Sequence, residues 1–177
     1  ATRQRVLDAA KLLSYHPNAT ARSLVNRKTR TIGIFFWVID SLVFVTNGYA
    51  SGILQGVLTA TTELDYNLMF FTRPRIGSKQ AAFSAFQDGR ADGLIIVAPP
   101  TNSDILKDLT DIGLCLSVIG APADGLGIPS VDVDDYMGGK LAIEHLLSLG
   151  HRRIAHITGD ADMSSVPSVS YTHLTLP

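Results

Sequence analysis

A chain of 177 residues with 46% apolar content and a net charge of −1 has the material for one globular domain or two small ones. Its single cysteine excludes a disulfide framework and a Cys-based zinc site, and no apolar run is long enough to span a membrane. The charge is unevenly spread: residues 1–30 hold seven Lys or Arg against Asp8 alone, which leaves eight cations and fifteen acids in residues 31–177. A basic arm on an acidic body suits contact with nucleic acid or an anionic membrane surface.

In residues 2–13, Val6, Ala9, Ala10 and Leu13 recur at helical spacing, and His16-Pro17 ends the helix because the residue before a proline is pushed out of the α region. About three turns bury too little apolar surface to fold alone, so this helix belongs to a larger unit. Asn18 can cap a second short helix over 19–25, inside a segment (17–30) that carries Arg22, Arg27, Lys28 and Arg30 and no acid. By composition alone that segment fits a solvated linker as well as a phosphate-binding device.

From Thr31 the pattern becomes α/β. Strands are expected at 31–39, 66–72, 93–98, 115–120, 130–133 and 153–158, with helices at 48–64, 78–88, 103–111 and 136–149 between them. Gly150 stands at the C′ position of the last helix. The unbroken apolar character of 31–39 points to a strand covered on both faces. Such alternation gives a parallel sheet with right-handed crossovers, whose ligands bind beyond the carboxyl ends of the strands.

Catalytic patterns are missing. There is no P-loop, no G-x-G-x-x-G after the first strand, no H-E-x-x-H and no G-x-S-x-G. Asp132 and Asp134 would share one face of a strand while Asp135 turns away as a helix N-cap, so the trio reads as structural rather than as a metal site. His145 and His151 straddle a helix end and do not make a zinc pair, and His156 reads as a strand residue rather than a catalyst. Cys115, within LCLSVIG, reads as a small buried hydrophobe rather than a nucleophile. A binding protein is favoured over an enzyme.

Two stretches, TRQRVLDAAKLLSYHPNATARSL (2–24) and HLLSLGHRRIAHITGD (145–160), resemble LacI-type bacterial transcriptional repressors, and GRADGLII (89–96) and VDVDDYMGGKLAIEHL (131–146) extend the likeness. The resemblance implies a periplasmic-binding-protein-like, doubly wound parallel sheet, preceded by the end of a helix-turn-helix domain (1–16) and a hinge helix with its linker (17–30). The first effector-binding subdomain would be 31–134, incomplete, and 135–167 would begin the second. The resemblance implies no enzyme activity, no cofactor and no metal. Its partners would be operator DNA, a small-molecule effector such as a carbohydrate, and a second copy of the full-length chain, all in the cytoplasm and without a membrane. A fragment truncated at both ends is not expected to repress alone. The alternative on the same fold is a periplasmic sugar-binding transport protein, which has no use for the basic residues of 22–30.

By the same resemblance, DNA contact falls to Asn18, Ala21, Arg22, Leu24, Asn26, Arg27 and Lys28, with Leu24 wedged into the minor groove and the cations near phosphates. Effector contact falls to Tyr49, Pro100, Thr101, Asp160, Met163 and Ser165. Several positions depart from the family pattern. Ser14 replaces a glycine at a left-handed helix end, Ala50 replaces an aromatic, and Asp135 stands where Asn is usual. Val169 stands where an effector-gripping arginine is expected. The string VSYTHLTLP also reads as a translation of a transposase adapter used for sequencing libraries, so 168–177 is expected to be adapter read-through.

Overall fold

The computed structural model describes residues 2–15, 23, 28–37, 48–72, 86–100, 104–159, 163 and 165–175. The elements are α1 (Thr2–Leu12), β1 (Thr31–Phe36), α2 (Gly48–Glu63), β2 (Asn67–Phe71), β3 (Gly93–Val97), α3 (Ile105–Asp111), β4 (Leu116–Ile119), β5 (Ser130–Val131), α4 (Asp135–Ser148) and α5 (Ser165–Thr175). All five strands are parallel, in the order β2-β1-β3-β4-β5, as the alternating pattern predicts. The expected helix at 78–88 lies almost wholly outside the described residues.

Period-2 alternation in the strands splits the apolar residues between two faces. Phe35, Phe71, Leu94, Ile96, Leu116 and Val118 share one cluster with Phe86 and with Ile105, Leu106 and Leu109 of α3. Phe86 packs edge-on against Phe35 and Phe71, with ring centroids 5.6 and 5.2 Å away. Room for this comes from Gly33 in β1, where a Cβ would meet Phe71 Cε2 at 2.5 Å and Leu94 Cδ1 at 2.9 Å. The opposite face carries Ile32 and Ile95 beneath Val57 and Ala60 of α2 and Leu64 just after it, and an open apolar groove of about 610 Å³ runs there between helix and strands.

Three expectations need correction. Residues 153–158 form no strand, and Ile157 is 96% exposed. An apolar alternation becomes a strand only where a neighbouring strand supplies a ladder, and the five-stranded sheet ends at β5 without including it. Asp134, not Asp135, caps α4: its Oδ1 accepts from the Met137 N–H at 2.8 Å, because a capping carboxylate reaches the amide three residues on. Cys115 is exposed, since it precedes β4 at the mouth of the open groove.

Two helix ends follow expectation. Gly150 takes φ +87° just past α4, and Ser14 takes φ +49° just past α1. The serine lacks glycine's freedom there, at a cost of about 1 kcal/mol. No residue of α1 or α4 is buried. The expected adapter boundary at 168 falls inside α5, which packs on α4. Ser, Val, Thr and Tyr are weak helix formers, and the Ser170 hydroxyl oxygen is buried there without a hydrogen-bond partner.

Candidate functional site

Because the sheet is parallel, its two edges differ in kind: chains enter at one and leave at the other. The basic linker enters at the amino edge. Among the seven expected DNA-contact residues only Lys28 lies within the described residues; Asn18, Ala21, Arg22, Leu24, Asn26 and Arg27 lie outside them. Lys28 is exposed and borders an open groove of about 720 Å³ lined by Ser23, Thr29, Tyr66, Asp88 and Asp92.

Asp92 organises this edge. Its Oδ1 accepts from the Thr29 N–H at 2.6 Å and the Thr29 hydroxyl at 2.8 Å, and its Oδ2 accepts from the Arg30 N–H at 2.9 Å. Partial burial pushes the carboxyl up. The Thr29 amide and hydroxyl, the Arg30 amide and the Lys28 charge together outweigh that and hold it below the usual aspartate range. On the other side the Arg30 guanidinium pairs with the Asp65 carboxylate and also donates to the Asp65 carbonyl at 3.3 Å.

The carboxyl edge holds Tyr49, at the start of α2 and half exposed. Its hydroxyl reaches over the end of β4, where a Cβ on Gly120 would lie 2.5 Å from Tyr49 Oη. Gly120 takes φ +76°, and Ala98, at the end of β3, takes φ +51°. Both are left-handed turns that swing the chain away and expose the strand ends. Burial, and then the charges of Asp132 and Asp135, push the Tyr49 phenol above its ordinary pKa. Burial, Asp132 and Asp134 likewise push the Asp135 carboxyl up. A phenol kept protonated, beside carboxylates, offers both a hydrogen-bond donor and acceptors to a polar ligand.

Pro100 follows Ala98 on the same loop and is half-buried. Met163 is half-buried before α5, its carbonyl accepting from the Val166 N–H at 3.2 Å, and Ser165 is the first residue of that helix. Thr101 and Asp160 lie outside the described residues. The structure therefore gathers Tyr49, Gly120, Asp132 and Asp135, of which the sequence singled out only Tyr49 as a ligand contact. Gly120 could have been found from its place at the end of an apolar strand. Asp92 carries no local signal, because its partners are more than sixty positions away.

Residues 44–169 match the family described as periplasmic binding proteins and sugar binding domain of LacI family. The HTH-type transcriptional regulator CelR of Thermobifida fusca is 33% identical over 169 residues, a match that covers 92% of this chain and 48% of CelR. The regulator MalR of Streptococcus pneumoniae is 32% identical over 159 residues, covering 89% of this chain and 48% of MalR. A solved structure of a CelR–cellobiose complex superimposes with a TM-score of 0.68 at 26% identity, over 98% of this chain and 52% of that one. The chain spans about half the length of these relatives. Both relatives are named as regulators of transcription, not as enzymes.

Proposed function

Because the chain belongs to the family of periplasmic binding proteins and LacI-type sugar-binding domains, we propose that the intact protein is an effector-responsive repressor that binds operator DNA. The observation that carries this reading is the reach of the match. Alignment with CelR covers 92% of the chain, so it runs beyond 44–169 into the basic first thirty residues. A transport protein of the same fold has no need of that arm.

The effector belongs at the carboxyl edge, against Tyr49 and the loop of Pro100 and Thr101, with Asp160, Met163 and Ser165 approaching from the unit that begins near Asp135. A carbohydrate fits an aromatic surface flanked by hydrogen-bonding groups, and the CelR–cellobiose complex supports that class. The basic segment leaves at the opposite edge of the same sheet. Effector binding changes the angle between 31–134 and the following subdomain, and that change biases how the hinge residues Asn18, Ala21, Arg22 and Leu24 meet the minor groove. Two copies would act together on one operator, in the cytoplasm where the DNA lies. Among the described residues no helix is long and apolar enough to cross a membrane.

The test is DNA binding by the intact protein across a salt series, with and without a panel of sugars. Log affinity should fall linearly with log salt, and one sugar should shift the curve in wild type but not in Tyr49→Ala. A flat salt response overturns the reading.

A further inference from the structure

We infer that Asp92 is the positioning residue that fixes where, and in what direction, the basic linker leaves the sheet. Its purpose rests on the DNA-binding reading above; its geometry does not. β1 is an interior strand, flanked by β2 and β3. Its ladder with β2 begins at Thr31, paired with Asn67, and its ladder with β3 at Ile32, paired with Gly93. Strand pairing alone would therefore hold the chain no further out than the Arg30 carbonyl, which accepts from the Asn67 N–H.

Asp92 carries the order out to Thr29. One carboxylate oxygen takes both Thr29 donors and the other takes the Arg30 amide, while the Asp92 N–H donates to the Thr31 carbonyl at 2.8 Å. The turn before β2 grips the opposite side: the Asn67 N–H donates to the Arg30 carbonyl at 2.8 Å, and Asp65 takes the guanidinium. Arg30, held from both sides, adopts φ +51°. That left-handed residue bends the chain as it enters the strand, so the bend and the latch coincide. Lys28 thus starts from a fixed base.

The two carboxylate oxygens have separate jobs, and this gives the inference a residue-specific signature. Amide hydrogen exchange is measured on the 177-residue chain and on Asp92→Ala and Asp92→Asn variants. In Asp92→Ala, the Thr29 and Arg30 amides should each exchange at least about tenfold faster. In Asp92→Asn, the one remaining carbonyl oxygen keeps the two-donor partner Thr29, so the Arg30 amide should quicken about tenfold and Thr29 clearly less. Tryptic cleavage after Lys28 and Arg30 should accelerate in the same order. The Ile34 and Ile96 amides, in the buried centre of the sheet, should be unchanged in both variants.

Wild-type protection of Thr29 and Arg30 in Asp92→Ala overturns the inference. So does an equal loss at Ile34 and Ile96, which would make Asp92 a general prop of the sheet. Retention of a random-sequence DNA duplex by the intact protein, measured across salt, is a separate arm. Its failure would sink the DNA-binding reading, while the exchange pattern would still decide the latch.

Discussion

Gly120 is where a single methyl group should be felt twice. Its φ of +76° is a left-handed conformation that an L side chain adopts at a cost of about 1–2 kcal/mol. The new Cβ would also press on the Tyr49 hydroxyl. Gly120→Ala should therefore lower unfolding free energy by about 1–3 kcal/mol and move Tyr49 off the strand ends. The two contributions separate in a double-mutant cycle. With Tyr49→Ala the steric part vanishes and the backbone part remains, so the pair should be sub-additive in urea denaturation. Full additivity would mean that the ring yields freely. Asp92 makes a second prediction at this scale, in pH. Its carboxyl is held below the ordinary value of about 3.9, so it stabilises the fold fully above that pH and loses the contribution as pH falls through its lowered native value. Asp92→Asn should flatten the acid loss of stability in that window, measured as the urea midpoint against pH. Asp135 works in the opposite sense: its raised carboxyl opposes folding above its ordinary pKa, and protonation relieves this.

Among the elements, α4 depends most plainly on one side chain. Asp134 satisfies the Met137 amide and places negative charge at the helix start. Asp134→Ala should cost about 1 kcal/mol and reduce the helical signal of this segment in circular dichroism, whereas Asp135→Ala should not, because Asp135 already lies inside the helix. The same region shows how far a sequence carries the fold. The runs TIGIFF, NLMFF, GLIIV and LSVI are short, apolar and set between helical stretches, so β1 to β4 were legible with their order of occurrence, even though β2 at the sheet edge is only partly covered. RIAHIT has a similar alternation and forms no strand, since strand formation is a property of a pair and periodicity reports only one partner. Tyr49 was legible through resemblance. The Gly120 contact and the Asp92 latch were not, because both join residues that are remote in sequence. The identity of the capping carboxylate among Asp132, Asp134 and Asp135 was a matter of one residue's shift, the usual scale of error at a helix end.

At the scale of the molecule, burial is concentrated in one part of the chain. Ile34, Ile96, Leu109 and Val118 are almost fully enclosed, all within the sheet and the α3 face. By contrast Leu12 and Leu13 at the end of α1, Val131 and Val133 in and after β5, and Leu141 and Leu149 on or after α4 are exposed. Apolar burial is the main favourable contribution to folding, at roughly 25 cal/mol per Å². Segments without it are held only by local helix energetics, and an eleven-residue helix is marginal on that basis. Protection against amide exchange should therefore be graded. Ile34, Ile96 and Val118 should exchange only through global unfolding. Amides of α1 should exchange close to unprotected rates, and those of α4 should lie between, supported by their packing on α5. Low concentrations of urea should abolish protection in α4 before it changes in the sheet. A single cooperative unit, with α1, α4 and the sheet losing protection together, would show that the exposed apolar faces are covered in solution, and the oligomeric state measured by sedimentation would then identify a second copy as the cover.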